Sequence, residues 1–250
     1  MTTRKNWTRE ELILAFNLYC ETPFGKIHNR NPAIIALADL LGRSPSALSW
    51  KLANFARLDP TLSERNIKGA THGSKEEIAI WQEFQSDWNG LSLESERLRL
   101  EKMGRDTITE EIEFPVGRMR ESVVQVRVNQ SFFRRSVFAA YNATCCLTGL
   151  HLQELLCASH IIPWATDEKN RTNPSNGLCL NALHDRAFDR GFITITPSFK
   201  VLVSKKMKLA QGSRLESILQ DYEGQAVTLP DRFVPRQDFL AFHNEHVFKS

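Results

Sequence analysis

The chain has 250 residues, of which 42% are hydrophobic and 24% charged, a composition that supplies a sizeable core and excludes disordered and fibrous proteins. No apolar run approaches the roughly 18 residues of a membrane-spanning helix, and residues 1–7 lack the apolar region of a signal peptide. We therefore expect a soluble, cytoplasmic protein. Its five cysteines are too sparse for a disulfide scaffold, so reduced thiols are expected.

The net charge of +3 is unevenly distributed. Residues 1–85 carry +2, residues 86–114 carry −4 and residues 115–250 carry +5. These blocks predict a helical domain, an acidic connector and a second domain. Two basic ends joined by a solvated acidic segment are consistent with nucleic-acid contact at both ends.

The first block contains clear signals for helix starts and ends. Thr8 and Glu11 have capping-box spacing. Asn31 and Ser44 are good N-cap residues, and each is followed by proline, which favours the first helical turn. Gly42 separates the two helices that these caps begin. The block is therefore predicted to be all-helical.

The helices on either side of Gly42 are similar to a helix-turn-helix, with small Ala38 where the two would cross. The polar residues of the second helix are Ser46, Ser49, Lys51, Asn54 and Arg57. Such side chains can contact phosphates and base edges, and we predict that Lys51, Asn54 and Arg57 bind DNA. A plain helical bundle with a solvated face is the alternative.

The third block begins with valines at 123, 124, 126 and 128, which suggest a strand or the approach to one, and continues with a predicted helix over about residues 131–141. Arg127, Arg134 and Arg135 flank this helix and are further candidates for nucleic-acid contact.

Three polar residues then follow in an order that favours convergence on one point. His160 ends a predicted strand, Asn176 lies in the return turn, and His184 lies on the next helix, ahead of a predicted hairpin over residues 192–203. This is the layout of a one-metal phosphodiesterase. Hydrolysis of a phosphodiester needs a general base that takes a proton from the attacking water, and a neutral imidazole can do so near pH 7. It also needs positive charge near the phosphorus, which a divalent ion supplies.

The motifs around these residues resemble the HNH endonuclease family, in its restriction-type branch. They are Ala158–Trp164, Asn176–Leu180 and His184–Gly191, preceded by the lead-in stretches Arg127–Arg134 and Cys146–Gly149. The resemblance covers about residues 120–200. It implies an α+β protein, with an all-helical N-terminal domain and a C-terminal ββα-metal nuclease domain.

The resemblance also implies roles for the three residues. His160 would be the general base, Asn176 would brace the loop and orient the base, and His184 would be a metal ligand. One divalent ion per site is expected, Mg²⁺ or Mn²⁺ first and Zn²⁺ or Ni²⁺ as alternatives.

The sequence departs from the family at Ser159, where many members have a metal-binding Asp or His before the base. A second ligand is then expected elsewhere. Asp189 is the first candidate and Asp185 the next, although Asp189 could equally be a turn residue ahead of Gly191. The cysteines lack the paired spacing of a structural zinc site.

These features predict a metal-dependent endonuclease that cuts double-stranded DNA in restriction or defence. DNA is the expected partner, with no membrane, and a homodimer is left open. The alternative is a DNA-binding regulator that uses the HNH module as a noncatalytic scaffold. An RNA-directed nuclease of the same fold is a third reading.

Overall fold

A computed structural model describes residues 6–64, 73–104, 118–210 and 214–250. The chain divides into two units, Met1–Arg135 and Ser136–Ser250. The helices of the first unit are α1 (Arg9–Glu21), α2 (Pro32–Leu41), α3 (Pro45–Ala56), α4 (Pro60–Glu64), α5 (Lys75–Phe84) and α6 (Trp88–Lys102). Helix α7 (Arg118–Ala140) begins in the first unit and ends in the second.

Helix α1 is the centre of the first unit and packs against α2, α3, α5 and α6. The ring of Phe16 on α1 lies 4.9 Å from that of Phe55 and 5.2 Å from that of Trp81, centroid to centroid. Phe16 and Phe55 are fully buried. An aromatic cluster therefore holds α1, α3 and α5 together.

The predicted helix starts are confirmed by their capping contacts. Thr8 and Glu11 form the capping box of α1. The side chain of Asn31 accepts from Ala33 N, and Ser44 accepts from Ala47 N. Gly42 closes α2 with a φ of 60°, a left-handed conformation that glycine adopts readily.

The unit boundary at residue 135 differs from the predicted domain limits at 85 and 114. Part of the predicted acidic connector is α6, which buries Trp88, Leu91 and Leu98 and packs on α1 and α5. Its acidic residues are solvated on one face while its apolar residues complete the helical core. Residues 105–117 lie outside the described residues.

The strand predicted over residues 123–128 is wrong, because this segment belongs to α7. Its alternating valines are too few to distinguish a strand from a helix. They continue without a turn residue into a helical pattern that buries Phe132, Phe133 and Val137. That longer pattern decides the local structure.

The second unit is built on a small antiparallel pair and the helix that follows it. Its elements after α7 are β1 (Leu156–His160), β2 (Gly177–Asn181), α8 (Ala182–Asp189), β3 (Ile193–Ile195), β4 (Val201–Val203), α9 (Arg214–Gln220) and α10 (Gln237–His246). Strand β1 pairs with β2, so that His160 lies opposite Gly177. Strands β3 and β4 form the predicted hairpin. Helix α8 packs on β1, β2 and β3, and α10 packs on β3.

The protein has an α+β fold, with a helical N-terminal region and a C-terminal ββα unit. All five cysteines are free thiols. None of the helices in the described part of the chain is long and apolar enough to cross a membrane.

Candidate active site

His160 ends β1 with its imidazole in a defined tautomer. Its Nε2 lies 2.9 Å from the carbonyl oxygen of Arg171, an acceptor only, so Nε2 carries the proton and donates. In the neutral ring Nδ1 then bears the lone pair. Burial lowers the pKa of His160, an effect that the Arg171 carbonyl and the charge of Asp185 partly offset. The imidazole is therefore kept neutral and ready to accept a proton.

Asn176 fastens the backbone that follows His160. Its Oδ1 accepts from Ile162 N at 2.8 Å, and its Nδ2 donates to the carbonyls of Ile162 and Asn170 at 3.2 and 3.1 Å. The amide is buried. The side chain thus ties the start of the loop between β1 and β2 to its middle. The bracing role in catalysis stays a prediction.

Arg171, which the sequence did not single out, completes the setting of the base. Its Nε donates to the carbonyl of Trp164 at 2.7 Å, and its guanidinium lies 5.3 Å from the centre of the Trp164 ring. The same indole meets His160 edge to face at 5.5 Å. The contacts between Arg171 and Trp164 therefore position the Arg171 carbonyl and the Trp164 indole, which both contact the His160 imidazole.

His184 lies on the first turn of α8 and is also held in one tautomer. The Oδ1 of Asn181, the N-cap, accepts from the backbone N–H of His184 and lies 3.0 Å from its Nδ1. Because that oxygen only accepts, Nδ1 carries the proton and Nε2 the lone pair. Nε2 is buried and has no hydrogen-bond partner among the residues that the structure describes.

A histidine with its Nδ1–H satisfied and its Nε2 lone pair unused has the arrangement of a metal ligand. The other contact of the His184 ring is the edge of Tyr222 at 5.0 Å. Burial lowers its pKa, which keeps the ring neutral.

The two aspartates of α8 lie four residues apart and so share one helical face. Burial, and then the charge of Asp185, raise the pKa of Asp189. The charge of Asp185 also raises the pKa of His160. His184 and Asp189 are five residues apart, which places them on different faces of the helix. Asp185 is thus the carboxylate whose charge reaches the base.

Ser159 is buried, and its hydroxyl has no hydrogen-bond partner within the described ranges. Those ranges also contain no group of three or more His, Cys, Asp and Glu residues arranged to hold a metal ion. The residues fit an ion that accepts an imidazole ligand and completes its coordination with carboxylate, water and substrate phosphate oxygens. His184 Nε2 is the donor best prepared for it.

The side chains predicted to contact DNA from α3 face the interior of the first unit. Lys51 forms an ion pair with Glu77, which is fully buried, and Asn54 donates to the same carboxylate at 2.9 Å. Arg57 is half-buried and lies against Gly73. The role that the structure gives Lys51 and Asn54 is to satisfy a buried carboxylate. Their contact with DNA stays a prediction.

The three arginines predicted on α7 are exposed. Arg135 donates to Glu21 and to Ser131, both at 2.9 Å. The role of the three arginines in nucleic-acid binding also stays a prediction.

Two antiparallel strands, a loop held by Asn176, and a helix that carries His184, whose Nε2 is unpartnered among the described residues, form a ββα unit. Residues 145–196 match the family model described as HNH endonuclease. This segment of the chain is similar to the HNH endonuclease family. A search of curated proteins finds no match to the chain. Members of the family generally use a divalent metal ion.

Proposed function

We propose that the protein is a metal-dependent endonuclease that hydrolyses phosphodiester bonds of double-stranded DNA. The observation that carries the proposal is the state of His160. Its Nε2–H is committed to the Arg171 carbonyl, so the lone pair of a neutral imidazole is on Nδ1 at the end of β1. A base in that state removes a proton from water near neutral pH.

In this mechanism His160 Nδ1 takes the proton of the attacking water. The imidazolium that forms is stabilised by the Arg171 carbonyl at Nε2 and by the negative charge of Asp185. Asn176 keeps the loop and the base in position through the backbone of Ile162.

Mg²⁺ or Mn²⁺ would be held by His184 Nε2 and by a carboxylate of α8, Asp189 or Asp185. Because Asp189 and His184 lie on different faces of the helix, Asp185 is the preferred second ligand. When bound, such an ion supplies positive charge beside the phosphorus and the leaving oxygen. The contribution of Asn181 is to orient His184 by accepting from its Nδ1–H and its backbone N–H. Zn²⁺ and Ni²⁺ also accept imidazole and carboxylate ligands.

We propose that the helical N-terminal unit docks the DNA and that α2 and α3 act as a helix-turn-helix. The two helices pack together across the Gly42 turn. A part in restriction or defence is supported by the resemblance to restriction-type members alone.

A noncatalytic DNA-binding regulator is the second candidate. It is favoured by Ser159, a hydroxyl in place of an acid, and by the lack of a three-residue metal cluster among the described residues. Incubation with supercoiled plasmid and Mg²⁺ or Mn²⁺, with and without EDTA, separates the two. Nicked or linear product that EDTA abolishes supports the nuclease. Binding without cleavage under every metal supports the regulator.

A further inference from the structure

The first unit has an open groove on the outer side of α3. Its volume is about 340 Å³, and it lies between α3 and the loop that precedes α2. The lining residues are Ile27, His28, Asn29, Ser46, Ser49, Trp50 and Ala53. Asn29 Nδ2 donates to Ser46 Oγ at 3.2 Å and joins the loop to the first turn of α3. The groove is thus formed by two segments, the loop and α3, that a hydrogen bond joins.

Trp50 is exposed to 66% in this groove. Large apolar side chains seldom stay this accessible, because burying an indole is favourable. Beside it are the hydroxyls of Ser46 and Ser49, small groups that allow a ligand backbone to come close. An accessible indole flanked by hydrogen-bonding groups is suited to a flat ring with polar edges.

The charge of the two segments favours an anionic ligand. Residues 23–31 and 45–57 contain no Asp or Glu. Lys26 and Arg30, next to the lining residues of the loop, are both exposed. Lys51 is neutralised by Glu77, and Arg57 is half-buried and lies against Gly73. The net positive charge at the groove therefore comes from the loop.

We propose that this groove is the nucleic-acid contact of the N-terminal unit, where a base or sugar packs on the Trp50 indole while Lys26 and Arg30 bind phosphates. The proposal rests on the proposed function, since it assumes a polynucleotide substrate. It assigns the contact to Ser46, Ser49 and Trp50, in addition to the loop, and not to Lys51 and Asn54, which are bound to Glu77.

The test is the affinity of the full-length protein for a fluorescein-labelled DNA duplex and for the corresponding single strand, followed by anisotropy in EDTA so that no cleavage occurs. We expect Trp50→Ala to weaken binding to at least one of them by about tenfold, as loss of a stacked base does. Trp50→Phe should retain most of the affinity. Ile35→Ala removes an exposed apolar side chain from the neighbouring helix and should change nothing.

Salt dependence provides a second measurement. Replacing Lys26 and Arg30 by Gln should reduce the slope of log affinity against log salt by about two units, one for each lost phosphate contact. Trp50→Ala should lower the affinity and leave this slope unchanged.

The inference is overturned if Trp50→Ala binds both DNAs within twofold of wild type, or if the wild type binds neither of them. Equal losses in Trp50→Ala and Ile35→Ala would also overturn it. These outcomes are separate from the nuclease proposal, because cleavage is not the readout. A wild type that cuts plasmid while Trp50→Ala binds normally refutes the groove alone, and a Trp50-dependent binder that never cuts refutes the nuclease alone.

Discussion

His243 should make the second unit lose stability in mild acid. Its side chain is buried and stacks on Phe188, with ring centroids 3.7 Å apart. Nε2 lies 3.2 Å from the Phe188 carbonyl and donates to it, so Nδ1 accepts from the Thr194 hydroxyl at 2.8 Å. The neutral ring therefore joins α8, β3 and α10, and burial lowers its pKa to about 4.

The size and sign of the effect follow from that pKa. In the unfolded chain the ordinary pKa of 6.5 applies, so below pH 6.5 the unfolded state binds a proton that the folded state does not. Stability is therefore highest above pH 6.5 and falls as the pH drops toward 4. Each pKa unit corresponds to about 1.4 kcal/mol, which gives a loss of about 3 kcal/mol by pH 4.

Hydrogen exchange read by mass spectrometry on peptides from α8, β3 and α10 measures the local free energy of opening. His160 and His184 also have lowered pKa values, so the comparison is with His243→Gln, which donates and accepts but does not titrate near neutral pH. Between pH 7 and 4 the wild type should lose about 3 kcal/mol more than this variant, roughly a 100-fold change in protection. Parallel curves for the two proteins would refute the assignment.

Three further substitutions test the site and its support. Asp185→Asn removes the charge that raises the pKa of His160, so the acid limb of kcat/KM should move to lower pH. Asn181→Ala frees the Nδ1–H of His184 and should weaken Mn²⁺ binding by about 10- to 100-fold in calorimetry. Gly191→Ala places a Cβ 2.1 Å from a backbone carbonyl oxygen at a φ of +69°, and should cost the second unit at least about 2 kcal/mol in exchange measurements.

Two of these have a matched control within the chain. Asn31→Ala removes an N-cap from α2 and should leave metal affinity unchanged. Gly149→Ala has a similar φ with nothing within 4 Å of the added Cβ, so it should cost less than Gly191→Ala. An unmoved acid limb in Asp185→Asn, unchanged Mn²⁺ affinity in Asn181→Ala, or equal costs at the two glycines would contradict the respective argument.

The parts of the fold that the sequence predicted are those set by local chemistry. Asn31 and Ser44 cap helices through side-chain bonds to residues two and three positions on. The order of His160, Asn176 and His184 along the chain indicated a strand, a turn and a helix, and the structure has these elements.

The parts that the sequence did not predict depend on distant partners. The tautomer of His160 is set by the carbonyl of Arg171, a backbone atom that no residue type reveals. Lys51 and Asn54 are directed inward by Glu77 of α5, which lies 26 and 23 residues further along the chain. Sequence spacing gives the polar face of a helix, but whether solvent or a neighbouring helix covers that face is decided by packing.

The assignment of His160 as the general base is tested most directly by single-turnover cleavage of plasmid with the His160→Ala variant. The variant should bind DNA with wild-type affinity by anisotropy, because the imidazole is not a phosphate contact, while the cleavage rate in Mg²⁺ or Mn²⁺ falls about 100-fold or more. A variant that keeps more than a tenth of the wild-type rate would contradict the account.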